Sequence, residues 1–249
     1  MTRLDKQVFI CLDCEMTGLD SHNDRIIELA AVRFTLDGPL DRIECLVNPN
    51  CPIPPESQAI HNITNDMVAK QPFIKDVLPQ FLKFVGRDII VGHGIQFDID
   101  VLIAEAQREK VQSRLSNNPL IDTLRLARLY GECPTNSLAM LCQHFNIPHP
   151  DAHRAMADVQ VNIEVFKRLI TKFQTTQQLF SRLEKPVPIK IMPLGPYKGR
   201  LMKDVPQEFL IWAANKEFDQ DLLFSIRREL KRRKQGGLFN QATNPFNQL

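Results

Sequence analysis

The sequence predicts an α/β domain followed by a small C-terminal module, the domain being a mixed sheet of an antiparallel three-strand meander plus parallel strands, flanked by helices. Three observations predict it. Three apolar runs near the start are joined by tight connections, the pattern of an antiparallel meander. Later stretches alternate helical periodicity with a short β-branched run, as when helices cover a sheet. A stretch interrupted by two prolines, Glu184-Lys185-Pro186-Val187-Pro188, then separates a remainder of different charge.

In chain order, residues 8–12, 25–34 and 41–47 read as the three strands, with Gly18-Leu19-Asp20 and Leu36-Asp37-Gly38-Pro39 between them. A proline-bearing segment, 48–55, leads through Ser57-Gln58-Ala59-Ile60-His61-Asn62 to a helix over 65–69, and a second helix covers 74–85. Residues 88–93 contain Ile89-Ile90-Val91, β-branched throughout, and form a short buried strand. Helices over 98–109, 123–130, 137–145 and 154–173 follow. The expected organisation is a main domain over 1–175, a linker over 176–188, a small basic module over 189–235 and a flexible tail over 236–249.

Composition narrows the function classes. A chain of 249 residues that is 43 % hydrophobic buries a sizeable core. It contains no apolar run of about 18 residues and no export signal, so membrane spanning and secretion are excluded as expectations and a cytoplasmic location is expected. The six cysteines are scattered, with no second C-x-x-C to complete a four-ligand zinc site, and read as reduced thiols. Residues 1–180 carry 18 Lys+Arg against 22 Asp+Glu, whereas residues 181–249 carry 13 against 7. The acidic part suits a metal site and the basic part a polyanion, although the cations at 227–234 also read as the solvated face of a terminal helix.

The chemistry begins with Asp13 and Glu15 in the apolar run Val8-Phe9-Ile10-Cys11-Leu12-Asp13-Cys14-Glu15. Residues i and i+2 of a strand project to one face, so two carboxylates stand side by side. Burying such a pair without a cation costs several kcal/mol or forces protonation. A divalent metal is the economical counterion; the bland reading is an edge strand turning two acids to water. Further on, Val91-Gly92-His93-Gly94-Ile95-Gln96-Phe97-Asp98 delivers Asp98 to the start of a helix, either as an N-cap or as a carboxylate at the carboxyl end of a strand. His153 and Asp158, five apart, share a face only if His153 lies in the loop or first turn before the long helix. Asp122 reads as a cap for 123–130.

Asp13-Cys14-Glu15-Met16-Thr17-Gly18, His93-Gly94-Ile95-Gln96-Phe97-Asp98 and His153-Arg154-Ala155-Met156-Ala157-Asp158 resemble, in order and spacing, the three motifs of the histidine-bearing branch of the DEDD exonucleases. The resemblance spans about residues 7–172 and is strongest to the proofreading epsilon subunits of bacterial DNA polymerase III. It implies a ribonuclease H-like fold and a 3′→5′ exonuclease releasing 5′ nucleoside monophosphates. Asp13, Glu15, Asp98 and Asp158 would hold two Mg²⁺ or Mn²⁺ ions, with His153 as general base. Asp13 would bridge the ions, with Glu15 and Asp158 on the water side. Met16, Thr17, Gly18, Leu19, Ile60, His61 and Phe97 would bind the terminal nucleotide, the main-chain N–H groups of Thr17 and Gly18 reaching its 3′ hydroxyl and base. Gly18 also reads as a turn residue needing positive φ, and His61 and His93 as hydrogen-bonded structural histidines.

The implied substrate is DNA with single-stranded or frayed 3′ ends, in proofreading or repair, and the implied partners are the polymerase III catalytic subunit and the sliding clamp. Met16 stands where the proofreading group carries Thr and points instead to RNA trimming or oligoribonuclease-like activity, which is the alternative. A replication scaffold is the reading of another class; four converging carboxylates that repel one another without metal argue against it. In the basic module, Tyr197, Trp212 and neighbouring cations read either as a single-strand contact or, for Trp212, as core packing of a small unit. Gln177-Gln178-Leu179-Phe180 and Gln235-Gly236-Gly237-Leu238-Phe239 resemble clamp-docking peptides.

Overall fold

A computed structural model describes residues 2–130, 132–133, 135–149 and 152–242, with side chains as far as 235. The chain forms two compact units, Met1–Arg182 and Leu183–Leu249.

In the first unit the strands are β1 (Phe9–Met16), β2 (Ile26–Thr35), β3 (Gly38–Leu46), β4 (Ile89–Gly92) and β5 (Leu120–Asp122), in the order β3-β2-β1-β4-β5. The meander β1–β2–β3 is antiparallel, and β4 and β5 add parallel strands. This is the mixed sheet that the sequence predicts. Its helices are α1 (Pro55–His61), α2 (Asn65–Val68), α3 (Ile74–Val85), α4 (Gln96–Arg108), α5 (Thr123–Tyr130), α6 (Leu138–Phe145), α7 (Ala155–Leu169) and α8 (Thr176–Leu183).

Strand parity distributes the core. Ile10, Leu12 and Cys14 of β1 join Leu78 and Phe81 of α3 and Ile99 and Leu102 of α4 on one face. Phe9 and Phe34 meet Phe166 of α7 on the other, with ring centroids 5.2–6.0 Å apart. Buried apolar area at about 25 cal/mol per Å² is what holds these layers together.

Several boundaries differ from expectation for local reasons. β1 runs to Met16 rather than residue 12, because pairing with β2 continues as far as Met16↔Ile26 and carries the two acids inside the strand. α1 was not expected; Pro55 opens it at a position where a missing N–H costs nothing, and Asn62 closes it with φ 59°. β5, three residues long, carries too little periodicity to announce itself. α4 starts at Gln96, with Ile95 as its cap, so Asp98 lies in the first turn and is not the N-cap. Asp122 is a cap: its Oδ1 accepts the Leu124 N–H at 2.8 Å, and also the Gly94 N–H at 2.9 Å, tying the β4–α4 turn to β5. α7 ends at Leu169 rather than 173.

The segment expected as a linker is helical over its first part, because α8 buries Leu179 fully. That removes Leu179 from the first clamp-like peptide.

The second unit holds α9 (Gln207–Ala214) and α10 (Gln220–Ala242) around a small core of Met192, Met202, Val205, Leu210, Leu222 and Ile226. The second clamp-like peptide falls where α10 continues, and its side chains from 236 on, like the tail expected at 236–249, lie outside the described side chains. No helix among the described residues is long and apolar enough to cross a membrane.

Candidate active site

Parity along β1 decides which element the acidic pair meets. Phe9, Cys11, Asp13 and Glu15 share the face covered by α7: the Cys11 thiol donates to the Val159 carbonyl and accepts from Asn162 Nδ2, each at 3.6 Å. The pairing of β1 with β4 stops at Cys11↔Val91, so Asp13 and Glu15 emerge beyond the parallel part of the sheet. There they meet Asp158 in the first turn of α7, with one oxygen of each carboxylate within 4.8 Å of the others. A β-bulge between Glu15 and Met16 turns the strand away just past the pair.

Asp98 reaches the site from the opposite face. Its helix packs on Ile10, Leu12 and Cys14, and its buried Oδ1 accepts the Cys14 N–H at 3.0 Å. Asp98 lines the same cleft of about 350 Å³ as Asp13, Glu15 and Asp158 but stands outside their three-oxygen cluster. His153 lies in the loop before α7, where the helical-face geometry requires it, with φ 63° and an exposed side chain lining the cleft. A left-handed conformation at a non-glycine residue is strained.

What holds that loop is a salt bridge not foreseen from the sequence. Glu28 of β2, 1 % exposed and opposite Glu15 in the register, accepts from Arg154 Nη2 at 2.5 Å and from the Ala155 N–H at 2.9 Å. The start of α7, and with it His153 and Asp158, is thereby fastened to the sheet. A lone acid in the apolar stretch Ile26-Ile27-Glu28-Leu29-Ala30-Ala31 was the available signal. His149 is a second unforeseen contact: its Nε2 lies 2.5 Å from Asp158 Oδ1, and its buried Nδ1 has no hydrogen-bond partner among the described residues. In a proline-flanked loop it carries no periodic signal.

Of the residues expected to bind a terminal nucleotide, Met16, Gly18, Leu19, Ile60, His61 and Phe97 line the cleft. Thr17 does not. Its N–H donates to Arg25 O at 2.9 Å, its hydroxyl to Asp24 Oδ1 at 2.7 Å, and its carbonyl accepts from Ser57, so neither its backbone nor its side chain is available to a ligand. Gly18 has no positive φ; it is glycine because a Cβ there would sit 2.5 Å from the Asp24 carboxylate. His61 is buried, with Nδ1 accepting the Ile63 N–H at 3.0 Å, while its Nε2 makes no hydrogen bond among the described residues. His93 fits its structural reading: Nδ1 is 3.0 Å from Thr123 Oγ1, and burial lowers the ring pKa to about 4.

The carboxylates crowd one another in a buried setting. Burial, followed by repulsion from Asp98, Glu15, Asp158 and Glu28, holds Asp13 well above the usual carboxylate range. Glu15 is pushed up to about 8, by burial and then by Asp158, Glu28 and Asp98, and burial raises Asp98 to about 7. Asp158 is also raised by burial, with His149 opposing. Arg154, whose charge opposes the rise of Glu15, is engaged by Glu28. Clustered hard oxygen donors that cannot all ionise alone are the donor set of a divalent metal site, and these residues fit one.

Residues 10–166 match the model of a family described as Exonuclease. The chain belongs to this exonuclease family. It is 33 % identical over 168 residues to the PolC-type DNA polymerase III of Bacillus subtilis (strain 168), a match covering 67 % of this chain and 12 % of that protein. It is 33 % identical over 163 residues to the DNA polymerase III epsilon subunit of Aquifex aeolicus (strain VF5), covering 65 % of this chain and 80 % of that protein. Among solved structures, exonuclease X in complex with 5′ overhanging duplex DNA is 26 % identical, with TM-score 0.55 and coverage of 69 % of this chain and 96 % of that one. Escherichia coli exonuclease I with a dT13 oligonucleotide, at 22 % identity, TM-score 0.62 and coverage of 72 % and 44 %, shares the fold. The chain thus spans only about an eighth of the PolC-type relative but most of the epsilon subunit. Residues 182–231 match a second model, described as "Putative quorum-sensing-regulated virulence factor".

Proposed function

We propose that the chain is a divalent-metal-dependent 3′→5′ exonuclease acting on DNA 3′ ends, in replication proofreading or repair. The observation that carries this reading is the convergence of Asp13, Glu15 and Asp158 within 4.8 Å from two separate elements, with Asp98 on the same cleft. Membership of the exonuclease family supports it. The names of the relatives, polymerase III chains and an epsilon subunit, support DNA as substrate and a replicative polymerase as partner.

Asp13, Glu15 and Asp158 would hold one Mg²⁺ or Mn²⁺ ion, and Asp13 with Asp98 a second. Such ions supply Lewis acidity at the scissile phosphate and ease ionisation of water. The walls made by Met16, Leu19, Ile60 and Phe97 take the terminal nucleotide and exclude bulk solvent around it. Water adds to phosphorus, His153 accepts its proton, the bond from phosphorus to the 3′ oxygen breaks with that oxygen taking up a proton from solvent, and a 5′ mononucleotide leaves a strand shortened by one residue. His153 suits the task because an exposed imidazole at the rim can pass its proton on to solvent.

The test gives the full chain 3′-mismatched DNA, matched DNA and short RNA with Mg²⁺ or with EDTA. Mononucleotide release from DNA that stops in EDTA and in Asp13→Ala is expected. Metal-independent release defeats the mechanism, and faster attack on RNA transfers the assignment to RNA trimming.

A further inference from the structure

The second unit leaves its tryptophan out of its core. Trp212 is 49 % exposed and takes no part in the apolar core of Met192, Met202, Val205, Leu210, Leu222 and Ile226. It belongs instead to a surface row. Tyr197 and Phe209, both half-buried, have ring centroids 4.9 Å apart, and Phe209 lies 5.2 Å from Trp212. A cation covers each end: the Arg200 guanidinium is 5.5 Å from the Tyr197 ring centroid, and Lys216 Nζ is 5.4 Å from that of Trp212.

The row is built rather than incidental. The inner rings are backed by the unit's core, and Gly195, at φ 68°, lets the loop bearing Tyr197 close on Phe209, where a Cβ would stand 3.1 Å from the ring. Arg200, Lys216 and the exposed Lys198 and Lys203 have no carboxylate within ion-pair distance among the described residues. Arg232 and Arg233, by contrast, are held by Glu229, and Arg233 also by main-chain carbonyls, so that part of the basic helix is structural.

We infer that Tyr197, Phe209 and Trp212, with Arg200 and Lys216, form a stacking platform for single-stranded nucleic acid. Every base presents a π-face to an exposed indole, and flanking cations with no carboxylate partner among the described residues suit phosphates. Residues 183–235 carry 12 Lys+Arg against 7 Asp+Glu, which favours a polyanion over an acidic-poor protein surface. The platform's preference is for backbone and stacking, not sequence.

The chain has a single tryptophan, so its emission reports on the platform alone. With EDTA present to stop hydrolysis, the full chain is titrated with a homothymidine oligonucleotide, and binding of the labelled strand is followed in parallel by anisotropy. Saturable quenching of Trp212 is expected. Trp212→Ala should weaken strand binding about 5- to 150-fold, the equivalent of about 1–3 kcal/mol per stacked base, with Trp212→Phe retaining most of the affinity. Arg200→Ala with Lys216→Ala should lower the salt dependence by about one to two released ions. Unchanged emission with bound strand, or equal affinity in wild type and a folded Trp212→Ala, overturns the inference; so does emission that responds only to a protein partner. Hydrolysis of a small aryl ester of thymidine 5′-phosphate reads the cleft alone. It should be equal in wild type and Trp212→Ala, so failure of the exonuclease reading and failure of the platform are seen separately.

Discussion

His153 carries the plainest residue-scale prediction. His153→Ala should lower turnover by about 10²- to 10⁴-fold while Mn²⁺ binding, measured by calorimetry, persists; wild-type turnover would remove His153 from the proton-accepting role. Glu15 carries a second. Its carboxyl, ordinarily near 4.5, sits at about 8 in the fold. Between those values the native chain binds more protons than the unfolded one, so the contribution of Glu15 to stability is complete below about pH 4.5 and is lost as pH rises toward 8. In chelator, the melting temperature of the wild type should therefore fall from about pH 5 to 8 more steeply than that of Glu15→Gln. Equal slopes would mean that Glu15 titrates as an ordinary surface acid. Placement in an apolar run made the acids Asp13 and Glu15 conspicuous, while Asp98, His153 and Asp158 joined them through the resemblance of the three motifs. The sequence did not distinguish the roles of Thr17 and Gly18: whether an N–H is free or already bonded to Arg25 is a fact about chain segments eight residues apart meeting across a turn.

At the scale of elements, the decisive construction is the fastening of α7 to β2. Glu28 is buried and, among the described residues, is satisfied by Arg154 and the Ala155 N–H. Arg154→Ala leaves that carboxylate short of partners and should destabilise the first unit by about 1–3 kcal/mol, with the half-exposed arginine keeping the figure at the modest end. Adding Glu28→Gln should recover part of the loss, and a denaturation cycle with no coupling between the two would contradict the assignment. Activity should fall further than stability, because His153 and Asp158 lose their registration with Asp13 and Glu15. Strand and helix identities along this unit were legible wherever the period was long, as in α3 and α5. Two short elements were not, β5 of three residues and α1 of seven, because there pairing and packing outweigh local preference.

For the whole molecule, the two units differ in charge, an acidic one bearing the cleft and a basic one bearing the aromatic row. A chain ended after Glu184 should hydrolyse the small thymidine ester with unchanged kcat and KM, while KM for long single strands rises. Loss of ester hydrolysis would mean that the first unit does not fold alone. The sequence by itself determined the α/β class, the charge division, and the ordered acids and histidine. The first two are written in periodicity and residue type, which neighbours in the chain reveal, and the last in the order of three motifs that resemble those of the exonucleases. Tertiary structure decided that β1 turns Asp13 and Glu15 to α7 while Asp98 arrives from the opposite face. It also decided that Glu28 and His149 brace the site and that Trp212 lies outside the core. Those outcomes depend on pairing register and on which segments far apart in sequence come into contact, and no local pattern encodes them.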